Sequence, residues 1–406
     1  MSERTGPLVG MRVLDLSHVM AGPTCSRMLA DMGADVVKVE RADGGDDSRR
    51  MLPPDIAGES AAYMMMNRNK RGIALDLKNP HARSVVLRLA MRADVLIENY
   101  RHDTLSTLGL GYEALRAVHP GLIYCAISGF GRSGPYAAQG GYDLIAQGMS
   151  GLMAITGEGG GRPPVKVGAP VCDITTGILA AMGVCAAYAH KLLTGVGQLV
   201  DTSLFEAGIT LTYWHSAIAF ATGVAPGPLG SAHPLNAPYQ AFATRDGWIT
   251  VGAANQKLYR ALCELLGVPE LATDPRLSTG RDRMHNLELL IGALAPHFRE
   301  RTSAEWLREL ERVGIPAGPV LSIVEMHGHP QTRARDMVTT LTHPVAGEVA
   351  TIGLPIKFSA TPGGVRTPAP LLGEHTRDVL AEAGFGGDEI ARLLRDGAVR
   401  EPAGKA

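Results

Sequence analysis

In the first third of the chain, short apolar runs alternate with segments whose apolar positions recur every three to four residues. MRVLDLS (11–17), DVVKVE (35–40), GIALDL (72–77), DVLIEN (94–99) and GLIYCAIS (121–128) are of the first kind and predict strands. PTCSRMLADMG (23–33) and PHARSVVLRLAMR (80–92) are of the second kind and predict helices. Pro23 near the start and Gly33 at the end fit helix termini. A β-α-β rhythm of this kind requires parallel strands with helices on both faces, so an α/β, Rossmann-like large domain is expected. The glycine-rich segment GFGRSGPYAAQGG (129–141) follows a predicted strand. It therefore falls at the carboxyl edge of the sheet, where open α/β folds bind ligands.

Further along, the apolar runs 177–189 and 207–222 are too short, or too interrupted by His215 and Ser216, to span a bilayer and read as buried helices. The second lies in a helix expected over 203–222. GVAPGPLGSAHPLNAPY (223–239) is rich in Pro and Gly with almost no charge and reads as a linker. Beyond it, YQAFATRDGWITVGA predicts a hairpin turning at Asp246-Gly247, followed by helices near 255–266, 284–300 and 303–313. GIPAGPV (314–320) marks the exit, and helices are expected near 373–384 and 387–396. The expected organisation is a large domain from 1–222, a linker at 223–239, a smaller α+β domain at 240–318 and a return to the large domain over 319–406.

At 406 residues the chain exceeds one ordinary core, which agrees with two domains. Lys plus Arg number 39 against 40 Asp plus Glu, so no global field draws the protein to nucleic acid or an anionic membrane. Small molecules and protein are the expected partners. The opening MSERTGPLVG has neither a signal-peptide apolar core nor a transit-peptide pattern, and the cytoplasm is the expected location. Five scattered cysteines without CxxC spacing argue against a disulfide framework or a metal site, and no metal is expected.

Three groups of residues have the character of a site. Asp173 stands alone at the mouth of the apolar stretch KVGAPVCDITTGILAAMGVCAAYA, with no further acid or base until His190. Such a carboxylate is either a helix N-cap or a group whose chemistry needs a desolvated setting. Its neighbour Cys172 has no nearby His to activate it as a nucleophile. The turn SHVMAGPT (17–24) joins the first strand to the first helix, where N–H groups can meet a phosphate or carbonyl oxygen. It has a single Gly and no GxGxxG, so Glu40 at the end of the second strand does not complete a dinucleotide fingerprint and NAD is not expected. Basic residues (Lys38, Arg41, Arg49, Arg50, Arg68, Lys70, Arg71) gather at expected strand-end loops, as a solvated surface or as a seat for a phosphate-bearing ligand. The glycine-rich GEGGGRPP (157–164) is either a covering loop or an exposed turn.

The blocks LDLSHVMAGPTCSRMLADMGADVVKVE, NRNKRGIALDLK, ADVLIENY, ISGFGRSGPYAAQGGYDLIAQGMSGLMAITG and GAPVCDITTG resemble, in order along the chain, the class III CoA-transferase family. That family also contains α-methylacyl-CoA racemases, in which the loop corresponding to GGYDL carries a proton-transferring His. Here the position is Tyr142, and a phenol is a poor base at neutral pH, so the resemblance favours transfer over racemisation.

The resemblance implies that Asp173 is the catalytic nucleophile and that coenzyme A or acyl-CoA is a substrate, with no permanently bound cofactor. It places CoA contacts on His18, Val19, Met20, Ala21, Arg41, Leu75, Lys78, Asn99, Tyr100 and Arg101. Backbone N–H groups at Met20–Ala21 and in the 157–161 loop are the candidate oxyanion donors. Met20 and Gly140 replace a Gln and a Lys of formyl-CoA transferase, and Thr107 lies near the position of an Arg, which Arg101 would replace; these departures weaken formyl and oxalate as acyl groups. The segment AHPLNAPYQAFATRDGWITVGAAN (232–255) is most similar to the branch that moves CoA from succinyl-CoA to a dicarboxylate. His233 and Arg245, or Arg132 and Lys166, are then candidates for holding the distal carboxylate. Members of the family form interlocked homodimers, and the same is expected here.

Overall fold

In a computed structural model that describes residues 4–402, β1 (Arg12–Asp15), α1 (Ala21–Asp31), β2 (Asp35–Arg41), β3 (Lys70–Leu75), α2 (Pro80–Ala90), β4 (Val95–Glu98) and β5 (Ile123–Ser128) realise the alternating pattern of the first third. The first three and last four residues of the expected large domain lie outside the described residues. Then follow α3 (Asp143–Met149), α4 (Val171–Thr194), β6 (Leu199–Ser203) and α5 (Leu204–Thr210). The sheet runs β3-β2-β1-β4-β5-β6, all parallel, with Val399–Arg400 added antiparallel to β3 at the edge. Leu14 of β1 faces a core shared with Val37, Leu96 and α2 residues such as Val86. Its neighbour Val13 faces the opposite core, with Ile97, Cys125, Leu29 of α1 and Val184 of α4. Burial on both faces explains why these strands read as nearly continuous apolar runs.

α4 is 24 residues long, so the expectation that no run could span a bilayer fails on length. The apolar window 177–189 missed its polar first turn and its last turn. Ala180, Ala181, Val184 and Ala187 of this helix are buried in the core with α1, so one face of it packs in the interior while Met182, Leu192 and Leu193 stay exposed. Gly177 permits its close approach: a Cβ there would sit 2.5 Å from the Thr24 Cβ and 2.6 Å from the Ala21 carbonyl oxygen. The start of α4 is thereby held against the start of α1.

The chain divides into two compact units, one comprising Met1–Ser150, Gly168–Leu211 and Pro330–Ala406, the other Gly151–Val167 and Thr212–His329. This differs from boundaries drawn at 222 and 319. The helix expected over 203–222 is two, α5 and α6 (Tyr213–Thr222), and the units part between them. The segment 157–164 joins the second unit, where the Gly230 N–H donates to the Gly157 carbonyl at 2.7 Å. Pro and Gly marked irregular backbone at 223–239, which lies inside that unit rather than between units.

Within the second unit, β7 (Tyr239–Ala243) and β8 (Trp248–Gly252) form the expected hairpin, and β9 (Ala317–Pro319) adds to it. Helices α7 (Gln256–Leu266), α8 (Leu287–Phe298) and α9 (Ser303–Arg312) cover a core of Phe242, Phe298 and Trp306. The helix expected from 284 starts at Leu287, because a separate turn of helix, Gly280–His285, precedes it under a Thr279–Asp282 capping box. In the first unit, helices Thr376–Glu382 and Gly387–Arg395 pack on the α2 face of the sheet.

Candidate active site

At the carboxyl edge of the sheet the chain leaves β1 through Ser17–Met20, and the Ser17–His18 and His18–Val19 peptides of this corner are held by side chains. The Ser17 carbonyl accepts from Lys38 Nζ at 2.9 Å. Asn99 grips the next residue with both ends of its amide: the His18 N–H donates to Asn99 Oδ1 and Asn99 Nδ2 donates to the His18 carbonyl, each at 2.8 Å. The Val19 N–H donates to the Asp46 carboxylate, at 3.1 and 3.3 Å. Val19 has φ of 64°, a left-handed conformation costing a β-branched residue on the order of 1–3 kcal/mol. The His18 ring, kept neutral by burial, meets the Tyr100 hydroxyl at 2.9 Å. α1 then starts at Ala21 with Met20 as a cap that offers no side-chain acceptor, and its first N–H groups have no intrahelical partner.

This corner opens on a cleft of about 400 Å³ lined by His18, Val19, Met20, Ala21, Arg41, Asn99, Tyr100 and Arg101, by the Gly129 and Gly141 turns, by Tyr142 and by Asp173. Gly129 and Gly141 touch backbone to backbone, since a Cβ on Gly129 would lie 2.7 Å from the Gly141 Cα. The loop predicted to bind ligand is thus folded back on itself at the cleft wall.

Asp173 is not the N-cap of its helix; that position is Pro170, and Asp173 lies in the first turn. The cap is supplied by another carboxylate. Asp143, at the start of α3, accepts from the Cys172 N–H at 2.9 Å and the Asp173 N–H at 3.3 Å, while its other oxygen accepts from Gln147 at 2.7 Å. The Asp173 carboxyl is left without an ion-pair partner among the described residues. A helix start normally stabilises an acid's charge. Here burial, and then the Asp143 charge, outweigh it and lift Asp173 to about 7. A desolvated carboxylate with a raised pKa is a better nucleophile than an ordinary surface acid, because its lone pairs are held neither by water nor by a cation.

Of the residues expected at the site, His18, Val19, Met20, Ala21, Arg41, Asn99, Tyr100, Arg101 and Asp173 share this cleft. Leu75 does not: it is buried in the core beneath α2. Lys78 is exposed and does not line the cleft. Most of the basic cluster is structural. Lys38 pairs with Asp46 at 2.8 Å, Lys70 with Asp15 at 3.1 Å and Arg68 with Asp31 at 2.6 Å, all fully buried. Arg49 forks onto Glu40, which also receives the Tyr63 hydroxyl, and Arg71 bridges Asp35 and Glu382. Arg50 and the half-exposed Arg41 both meet Asp47, leaving Arg41 and Arg101 as the guanidinium groups at the cleft. Arg132 is bound to Glu98. Cys172 is buried and its thiol is pushed up to about 12 by burial and by Asp143, which rules it out as a thiolate at neutral pH. Lys166, His233 and Arg245 belong to the second unit, where His233 stacks on Tyr239 with ring centroids 5.1 Å apart and Arg245 reaches Glu305 at 3.5 Å.

Sequence reasoning missed Asp143 and Asp46. The signal for Asp143 was an acid four residues before Gln147 at the head of an amphipathic segment, which can be read as an ordinary cap. For Asp46 nothing local distinguishes it from Asp47 beside it.

Comparison with known proteins places the chain among CoA-transferases. The chain is 42% identical to succinate–glutarate CoA-transferase of Agrobacterium fabrum, covering 94% of this chain and 97% of that protein. It is 38% identical to acetyl-CoA:oxalate CoA-transferase of Acetobacter aceti, covering 87% and 90%. The crystal structure of a CaiB/BaiF family protein from Brucella suis superimposes with a TM-score of 0.83 at 37% identity, covering 94% of this chain and 100% of that one. With the sequence model for CoA-transferase family III matched over residues 8–376, this chain belongs to that family and is a CoA-transferase.

Proposed function

We propose that the protein moves CoA from succinyl-CoA to a dicarboxylate of four to six carbons, such as glutarate, mesaconate, itaconate or citramalate, through covalent intermediates on Asp173. The observation that carries the reading is the Asp173 carboxyl itself: it lines the cleft, has no cationic partner among the described residues and is lifted to about 7. In the first step its oxygen attacks the thioester carbonyl; a C–O bond forms, the C–S bond breaks, and a mixed anhydride and CoA thiolate result. The thiolate attacks the Asp173 carbonyl carbon, releasing the donor acid and leaving an aspartyl-CoA thioester. The acceptor carboxylate attacks that thioester, giving a second anhydride, and the returning thiolate takes the acceptor's acyl group and frees Asp173. No net proton is consumed, and thioester free energy is conserved only while water is excluded from these intermediates. Met20 and Ala21 line the same cleft at the start of α1, and their N–H groups suit the oxyanion of each tetrahedral step. Arg41 and Arg101 suit the phosphates of CoA, with Tyr100 along the pantetheine path.

The dicarboxylate reading rests on the relative from Agrobacterium fabrum, which exceeds the acetyl-CoA:oxalate CoA-transferase of Acetobacter aceti in both identity and coverage. Its test is a panel of carboxylic acids offered with succinyl-CoA, read by chromatography of the acyl-CoA products. Glutarate-sized acids should dominate; dominance by oxalate or a monocarboxylate would overturn the acceptor assignment.

A homodimer, interlocked as in the resemblance, is part of the same proposal. α6 buries none of its residues, and Trp214 and Phe220 stand 59% and 89% exposed, as do Leu192 and Leu193 near the end of α4 at 69% and 87%. Light scattering at micromolar concentration should give twice the chain mass.

A further inference from the structure

The left-handed Val19 lies between two cleft residues, His18 and Met20, and the group that meets its N–H is not itself a ligand of any expected substrate. Asp46 is fully buried. It receives Lys38 Nζ at 2.8 Å, the Ser48 N–H at 2.9 Å and the Ser48 hydroxyl at 2.8 Å, besides the Val19 N–H. Lys38, also fully buried, spans Asp46 and the Ser17 carbonyl. The Asp46 N–H is fixed in turn by Glu40 at 3.0 Å, and Glu40 by Arg49. This chain of partners starts inside β2 and ends on one strained peptide at the cleft, which is more apparatus than neutralising Lys38 requires. Asp15 already lies near Lys38 and could share that charge. An unclamped valine would relax toward the extended region and rotate the Val19–Met20 peptide, moving the first N–H groups of α1 relative to Asp173.

We infer that Asp46, braced by Lys38, is a positioning residue: it holds Val19 in the left-handed conformation that aims the Met20–Ala21 N–H groups at the reacting carbonyl. The inference rests on the reading that acyl-CoA reacts at Asp173 in this cleft. Its chemistry is purely geometric, since Asp46 touches neither substrate nor nucleophile, and its effect should fall on turnover more than on CoA binding.

A cycle of Asp46→Ala, Val19→Gly and the double variant separates positioning from plain stabilisation. Asp46→Ala should lower kcat by about 100-fold with KM for succinyl-CoA changed by less than about threefold. Val19→Gly should cost about threefold, since glycine occupies this φ without strain but loses the isopropyl group at the cleft. The double variant should regain about tenfold in kcat over Asp46→Ala, because the corner no longer needs to be forced, while its thermal midpoint stays as low as that of Asp46→Ala. If the two losses in kcat simply multiply, or if kcat and thermal midpoint recover together, Asp46 only stabilises the fold and the inference is wrong. Should Asp46→Ala give insoluble protein because Lys38 is left buried and unpaired, the pair Lys38→Met/Asp46→Ala replaces it in the same cycle: neither buried charge remains, the Val19 N–H still loses its acceptor, and the same recovery on adding Val19→Gly is required. Peptide mapping of wild-type protein treated with succinyl-CoA is run alongside. An adduct on Asp173 with no coupling between positions 46 and 19 overturns this inference alone; coupling without any adduct overturns the chemistry at Asp173 and leaves the positioning role standing.

Discussion

Two sets of carboxylates lie near the same sheet edge and experience opposite environments. Asp15 and Asp46 are buried among Lys38, Lys70 and hydroxyl donors, and these partners more than offset burial, holding Asp15 down at about 2 and Asp46 well below the usual carboxylate range. Among the described residues Asp173 meets no cation; burial and the neighbouring Asp143 raise it to about 7. Burial is the first cause in all three, so burial alone does not distinguish a structural acid from a chemical one. The partners do. A paired carboxylate has its charge stabilised and its lone pairs occupied, whereas Asp173 keeps a destabilised charge available for attack.

The comparison breaks most visibly on substitution of Asp173. Asp173→Ala should lower CoA exchange by about 10⁴-fold or more while circular dichroism and CoA binding stay near wild type, because the other carboxylate lining the cleft, Asp47, is exposed and already paired with Arg41 and Arg50. Near-normal turnover by the purified variant would remove the distinction between the two sets.

Lys38→Met tests the other set. Leaving Asp46 buried and unpaired should destabilise the fold by about 3–5 kcal/mol in denaturant titration. A loss below about 1 kcal/mol would mean that water reaches the pair. The two sets should also respond to pH with opposite sign. Asp15, depressed from 3.8 to about 2, contributes stability above pH 3.8 that is lost as pH falls toward 2. Asp173, raised from 3.8 to about 7, binds more protons folded than unfolded between those values, so its contribution falls as pH rises through that window. Asp173→Asn should accordingly gain stability relative to wild type between pH 4 and 8 in parallel melts, and a constant difference across that range would contradict the assignment.

Arg41→Ala should weaken CoA binding by about 1.5 kcal/mol in calorimetry, the low end for a charge-assisted contact because the guanidinium is half-exposed and already shared with Asp47. Unchanged affinity would return Arg41 to the solvated surface. The smallest expected effect is the sharpest in cause. kcat/KM should rise with pH through about 7 as Asp173 ionises, and Asp143→Asn, which keeps an acceptor for the Cys172 N–H but removes the charge, should move that limb to lower pH. A limb that does not move would assign the whole shift to burial.

Much of this was legible in sequence. Short, nearly continuous apolar runs and helix punctuation placed the strands β1 to β5 within a few residues, since both faces of a parallel sheet are buried and the apolar signal is strong. Asp173 stood out because an apolar helix with one acid is a local pattern. What escaped was pairing across the fold. Lys38, Arg68 and Lys70 read as a phosphate-seeking cluster because charge in sequence says nothing about a partner 8 to 55 positions away, as Asp46, Asp31 and Asp15 are. Likewise the cap of α4 comes from Asp143, thirty residues upstream of Asp173, and the residues of the helix start alone suggest that Asp173 caps itself. The Pro- and Gly-rich 223–239 segment read as a linker because composition reports irregular backbone, not the contacts that tie it to 157.

The most direct test of the central claim is mass spectrometry of acid-quenched protein after brief exposure to succinyl-CoA without acceptor, with the adduct mapped to a peptide. The expected result is a succinyl or CoA adduct on the peptide carrying Asp173, discharged by adding glutarate and absent from Asp173→Ala. Exchange proceeding with no adduct, or with the adduct on another residue, would contradict it.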